Sequence, residues 1–119
     1  MQTKTLYNVD MAETLGTLEQ ATLLSVWRLG KHAYGRTVVL ELEARLGRRI
    51  SAGAAYATLA RLEERGLLSS RLESGAPTRG GRVRRFYTVE KSGLTALQQA
   101  HCVAKSIWKG IALPLRGRL

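Results

Sequence analysis

Cysteine occurs once in this 119-residue chain, at Cys102, so the chain can neither close a disulfide on itself nor assemble a thiolate zinc site. Histidine occurs twice, at His32 and His101, in separate regions with no cysteine or carboxylate at ligand spacing. Isolated histidines of this kind are structural more often than ligating, so no metal and no other cofactor is expected. No apolar run approaches the ~20 residues of a membrane-spanning helix. The opening MQTKTLYNVDMAETLG lacks the charged-then-apolar layout of a signal peptide, so the expectation is a cytoplasmic protein with no membrane partner. No Ser/His/Asp or Cys/His pairing, carboxylate dyad or phosphate-binding loop is visible. Gly80-Gly81 has no helix after it, and an enzyme is not expected. Acid is the other scarcity: nine Asp and Glu stand against nineteen Lys and Arg, a formal charge of +10.

Such a field on so small a chain favours a polyanionic partner. Its distribution says more than its sum. Residues 74–86 hold four arginines and no acid, and from His101 onward there are two lysines and two arginines, again without acid. At this length one domain is expected. With 45% hydrophobic residues it can bury a real but small core, which dimerisation would enlarge.

Residues 1–13 carry weak signals and read as an N-terminal arm. From Thr14 the chain becomes LGTLEQATLLSVWRLG, apolar nearly all round, so this helix should bury one face in its own core and another against a second copy. After Lys31-His32-Ala33-Tyr34-Gly35, the spacing of Val38, Val39, Leu42 and Leu46 predicts a short amphipathic helix closed by Gly47. Ser51 is a good N-cap for a third helix, which Gly66 stops. Its face of Ala55, Leu59 and Leu62 is apolar; the other carries Ala54, Ala57, Ala60, Arg61 and Arg65, small enough to lie close against another surface. Two helices joined through a glycine turn, the second cleanly capped, form the helix-turn-helix arrangement.

A strand over 67–72, a Gly/Pro loop, and a second strand over 82–89 make a hairpin directly after that helix, which is a wing. Its arginines cannot be core, because burial would leave them without counter-charges. Leu94, Leu97, His101, Ala104, Trp108 and Ile111 then recur by threes and fours, the seam of a coiled coil, and imply a partner helix. The fold expected is mainly α with a small β-hairpin wing (α+β). The winged helix-turn-helix DNA-binding domain spans 14–90, the C-terminal dimerisation helix 91–112, and a basic tail 113–119; the first helix also serves dimerisation.

In this order the chain resembles the PadR-type winged-helix transcriptional regulators over roughly residues 14–108. The resemblance is carried by Leu15-Gly16-Thr17-Leu18, Tyr34-Gly35, Ser51-Ala52-Gly53-Ala54-Ala55-Tyr56 and Leu59 to Leu68. The wing Gly80-Gly81-Arg82-Val83-Arg84-Arg85-Phe86-Tyr87 and Gly93-Leu94 with Leu97 complete it. It implies a homodimeric repressor on double-stranded DNA, its third helix in the major groove and its wing on backbone or minor groove. The implied dimer packs the C-terminal helix on the partner's N-terminal helix. Where the family often has proline, this chain has Ala52 and Ala57, which puts base readout in doubt but not the fold.

The candidate DNA-binding set is Tyr34, Ser51, Gly53, Ala54, Tyr56, Arg61, Thr78, Arg79, Arg82, Arg84 and Arg85. Ser51 at a helix start can hold a phosphate as well as cap. Tyr34 either touches phosphate or packs on the wing, Tyr56 either bonds phosphate or edges the core, and Arg61 either reads a base or is solvated. Strand alternation sends Arg82 and Arg84 to one face and Arg85 to the other. Phe86 and Tyr87 read as core. Leu18, Trp27, Leu94, Leu97, Ala104, Trp108 and Ile111 form the dimerisation set. Some proteins resembling this family bind flat aromatic ligands between dimer-interface tryptophans, so the resemblance makes Trp27 and Trp108 candidates for a small aromatic effector, with simple interface filling as the competing reading. The alternative function is a winged-helix module for protein interaction or RNA.

Overall fold

In the computed structural model, which describes residues 14–74 and 82–114, each helix starts at a residue with a physical reason to be there. Helix α1 (Thr17–Leu29) opens where the Gly16 amide donates to Glu19 Oε1 at 2.9 Å, and Glu19 also suits the positive end of the helix dipole. A 3-10 turn (Gly30–His32) follows. Helix α2 (Gly35–Leu46) opens where the Tyr34 amide donates to Thr37 Oγ1, and it closes at Gly47, which takes the left-handed φ of 69°. Helix α3 (Ala52–Glu64) is capped by Ser51, whose Oγ accepts from the Ala54 amide at 3.0 Å. Gly66, at φ 78°, reverses the chain so that the Leu67 amide returns to the Leu62 carbonyl.

Strands β1 (Leu68–Ser74) and β2 (Val83–Val89) pair antiparallel, with Leu68 opposite Val89 and Ser74 opposite Val83. The connecting residues 75–81, with the candidates Thr78 and Arg79, lie outside the described residues, as do the arm 1–13 and residues 115–119 of the tail. The free edge of β2 meets the chain before α2: Tyr34 bridges Phe86, and the Tyr87 amide donates to the Ala33 carbonyl at 2.8 Å. The wing is thereby tied to the start of α2.

The core lies where three helices and the wing base meet. Leu23 and Val26 of α1, Val38 and Leu42 of α2, and Ala55, Leu59 and Leu62 of α3 close on Leu67, Leu68 and Val89. Each fully buried leucine stabilises the fold by about 1.5–3 kcal/mol. Helix α4 (Lys91–Trp108) is joined to this core through a tight elbow. The Glu90 amide donates to the Leu67 carbonyl, Ser92 Oγ donates to the Gly66 carbonyl at 2.6 Å, and Gly93 is buried against Leu67. Beyond it only Ala96, Leu97 and Ala100 pack on the core, and the helix runs outward. The radius of gyration is 17.0 Å, against about 13–14 Å for a compact chain of this length.

Helix α1 divides into a buried and an uncovered face as its sequence suggests, and two expectations on α4 change in detail. Helix α1 buries Thr22, Leu23, Ser25 and Val26 but leaves Leu24 and Trp27 exposed, so one of its two apolar faces is uncovered within the chain. On α4, Leu97 packs into the chain's own core rather than serving a seam alone. Ile111 falls past the helix end, beyond Gly110 at φ 78°, so it does not continue the helical repeat. Among the described residues, no helix is long and apolar enough to cross a membrane.

Candidate nucleic-acid interface

The two faces of α3 differ as the sequence predicts. Ala55, Thr58, Leu59 and Leu62 are buried, and Thr58 Oγ1 is spent on the Ala54 carbonyl. Gly53, Ala57, Ala60 and Glu64 run down the opposite face, with Tyr56 on one flank and Ala54 and Arg61 on the other, all exposed. Only Tyr56, Arg61 and Glu64 project far from this face, so the helix can approach a groove closely while offering few long side chains to read it. Arg61 Nη2 donates to Thr58 Oγ1 at 3.3 Å, so its guanidinium lies back along its own helix.

Tyr56 reaches across to α2. A Cβ on Gly35 would overlap the Tyr56 ring and lie 2.7 Å from its hydroxyl oxygen, so Gly35 is there to let the ring sit against the first turn of α2. Tyr34, beside it, resolves toward packing. Its ring meets Phe86 edge-on at 5.3 Å, and the Arg84 guanidinium lies over it, 4.3 Å from its centroid. Arg71 stacks on Phe86 at 5.4 Å, completing a row of cation, two rings and cation across the wing.

Alternation along β2 is as expected, with different consequences for each arginine. Arg84 rests on Tyr34. Arg85, on the other face, donates from Nη1 to Ser70 Oγ at 2.9 Å, and Ser70 donates in turn to Glu63 Oε2 at 2.7 Å. Of the candidate arginines described, Arg85 is thus tied through Ser70 to an acid at the end of α3. Arg82 precedes the strand rather than standing in it, and is exposed. Burial pushes the Tyr87 phenol above the ordinary tyrosine value, opposed by Arg85 and reinforced by Glu63 and Tyr56; it remains a neutral hydroxyl below the wing, half core as expected.

Together α2, α3 and β2 enclose an open cleft of about 590 Å³. The structure brings the predicted Tyr34, Tyr56, Arg82, Arg84 and Arg85 to its walls, with Arg36 among them. Ser51, Gly53, Ala54 and Arg61 lie outside it, on α3. Sequence reading passed over Arg36, although one signal was available. It stands in the first turn of α2, where the helix dipole disfavours a cation.

The remaining charges are sorted. Glu19 pairs with Arg65, Glu41 with Arg28 and Arg45, Glu43 with Arg49, and Glu73 with Arg71. None of these groups lines the cleft. Arg36, Arg82 and Arg84, which do, have no acid partner among the described residues. Neither α2 nor α3 carries an acid in its first turn, in contrast to α1.

Of the dimerisation candidates, Leu18 and Leu97 pack against the core, Leu94 and Ala104 are exposed, and Trp27 and Trp108 are 59% and 55% exposed. Trp27 borders a second hollow of about 430 Å³ with Lys31, Arg71 and Tyr87, and Trp108 does not line it.

Three helices with a hairpin laid beside the last, and free cations gathered between them, define a winged helix-turn-helix of the nucleic-acid-binding class. Residues 23–99 match the model of the transcriptional regulator PadR-like family, and the chain belongs to that family. No curated protein sequence matches it. Among solved structures it is similar to a PadR family transcriptional regulator from Eggerthella lenta, at 29% identity and TM-score 0.60 over 75% of each chain. A PadR-like transcription factor from Bacteroides fragilis is similar at 24% identity and TM-score 0.64, over 77% of this chain and 84% of that one. RosR of H. salinarum is similar at 22% identity and TM-score 0.61, over 85% and 84%. The last two show a shared fold.

Proposed function

We propose that this PadR-family regulator is a homodimeric, cytoplasmic repressor that binds a pseudo-palindromic site on double-stranded DNA. Residues 14–90 form the DNA-binding unit, α3 enters the major groove, and the wing lies on backbone or minor groove. The observation that carries this reading is the sorting of charge. Acids pair with Arg28, Arg45, Arg49, Arg65 and Arg71, while three of the described arginines without an acid partner, Arg36, Arg82 and Arg84, meet in the cleft beside the small-faced α3. Specificity then rests on the start of α3, on Arg61 and on DNA shape, with the wing arginines supplying sequence-independent hold.

Dimerisation through residues 91–112 is supported by the apolar surface that one chain leaves uncovered: Leu24 and Trp27 on α1, and Leu94, Ile107 and Trp108 on α4. The repressor role rests on the family resemblance. A small aromatic effector would use the exposed Trp27 and Trp108, which a second copy could bring together.

The test is a mobility-shift titration against duplexes carrying inverted repeats from the promoter next to the gene, a scrambled duplex and single-stranded RNA. Half-sites about 10 bp apart should be retained best. If 6–10 phosphates are neutralised, affinity should fall by about 10³–10⁵ between 50 and 200 mM salt. Preference for the RNA over every duplex would overturn the reading.

A further inference from the structure

The cleft between the start of α2 and the wing has the chemistry of a site rather than of a general basic surface. Arg36 lies in the first turn of α2, where its own helix end repels it, and among the described residues no carboxylate compensates. Arg84 lies against Tyr34, with its guanidinium carbon 4.3 Å from the ring centroid. A guanidinium held against a ring keeps its N–H groups for an oxyanion and loses less freedom when it binds one. Tyr34 cannot drift, because its ring also meets Phe86 and its backbone is bridged to the same residue. Tyr56 is likewise held, its hydroxyl close over Gly35. Arg82 completes the rim. Arg85 also borders the cleft but is drawn to Ser70 and, through it, to Glu63.

We propose that this cleft is a clamp for a single phosphodiester of the DNA backbone, with Arg36 and Arg84 as its paired ligands and the Tyr56 hydroxyl as a donor. This deepens the DNA-binding reading and rests on it. The clamp fixes where the duplex sits relative to α3 and carries no sequence information, because a phosphate is the same at every base pair. Tyr34 is a positioning residue for Arg84.

Because both arginines serve one phosphate, their effects must not add. The experiment measures duplex affinity against salt for the full chain and for Arg36→Gln, Arg84→Gln and the double variant. An arbitrary duplex and the promoter duplex are both used, and a thermal melt confirms that each variant folds. Each single variant should weaken both duplexes by about tenfold and leave their ratio unchanged, but keep the slope of log K against log salt near wild type, because the arginine left behind still neutralises the phosphate. The double variant should lower that slope by about 0.9, the value of one phosphate, rather than by twice that. Arg36→Lys should lose less affinity than Arg36→Gln, since it keeps the charge. Wild-type affinity in Arg36→Gln would overturn the clamp while leaving the regulator intact. A double variant that loses about 1.8 would overturn it in favour of two separate phosphate contacts. Failure of the unaltered protein to bind any duplex would instead sink the DNA-binding reading.

Discussion

Gly93→Ala is the substitution whose outcome follows most directly from the packing of the elbow. In an ordinary helix interior, replacing glycine by alanine stabilises by about 0.5–1 kcal/mol, because glycine has more freedom to lose. Gly93 is buried, and a Cβ there would overlap the Leu67 carbonyl oxygen and lie 2.9 Å from Val89 Cγ1. The oxygen cannot step aside cheaply, since it already accepts from the Glu90 amide at 2.9 Å. Forcing one methyl into such a contact costs about 1–3 kcal/mol. Straining the Glu90–Leu67 and Ser92–Gly66 hydrogen bonds adds about 0.5–1.5 kcal/mol each where they are lost. The net expectation is destabilisation by about 2 kcal/mol, a fall in Tm of roughly 10 °C. Differential scanning calorimetry at fixed protein concentration measures it, with Gly53→Ala as the control. That glycine is also helical but has open space where its Cβ would go, so the control should melt at or slightly above wild type. Equal melting of the two variants would refute the argument that close packing, not backbone freedom, requires Gly93.

Ser51→Ala removes the only side-chain acceptor for the Ala54 amide recorded at the α3 start, and should cost about 1 kcal/mol in urea denaturation. Tyr34→Phe keeps both ring contacts and should bind DNA like wild type, whereas Tyr34→Ala should weaken it several-fold in fluorescence anisotropy; equal losses would mean that the hydroxyl, not the ring, is what matters. Ser25 Oγ is buried with no hydrogen-bond partner among the described residues, so Ser25→Ala should raise stability by about 1 kcal/mol, read as a higher urea midpoint. Ile107→Asp places a charge on an apolar residue 70% exposed in one chain, and should shift sedimentation equilibrium toward monomer without lowering helical content.

Most of the fold was legible because its signals are local. Ser51, Gly47 and Gly66 act on the turn in which they sit, and the leucine spacing of α3 marks its buried face unaided. The uncovered faces of α1 and α4 were legible as excess apolar surface, but not how each divides. Leu97 faces inward because of where the Gly93 elbow aims α4, and that depends on residues 26 positions apart, Gly66 and Ser92. The site was legible by residue type more than by role. Arg84 and Arg85 are neighbours of one kind, yet one rests on Tyr34 and the other is tied through Ser70 toward Glu63. Arg36 went unnoticed because its meaning depends on the wing brought beside it.

The surface ion pairs also bear on how the protein meets its target. Each contributes little to stability, about 0–1 kcal/mol. Their effect at a distance is larger. By pairing with arginines outside the cleft, Glu19, Glu41, Glu43 and Glu73 leave Arg36, Arg82 and Arg84 as a concentration of uncompensated charge at the cleft. A polyanion approaching through solution meets a directional field, so that the molecule turns toward the duplex before touching it and fewer collisions are wasted on the wrong face. Charge pairs that hardly hold the protein together can thus govern how fast it finds a site.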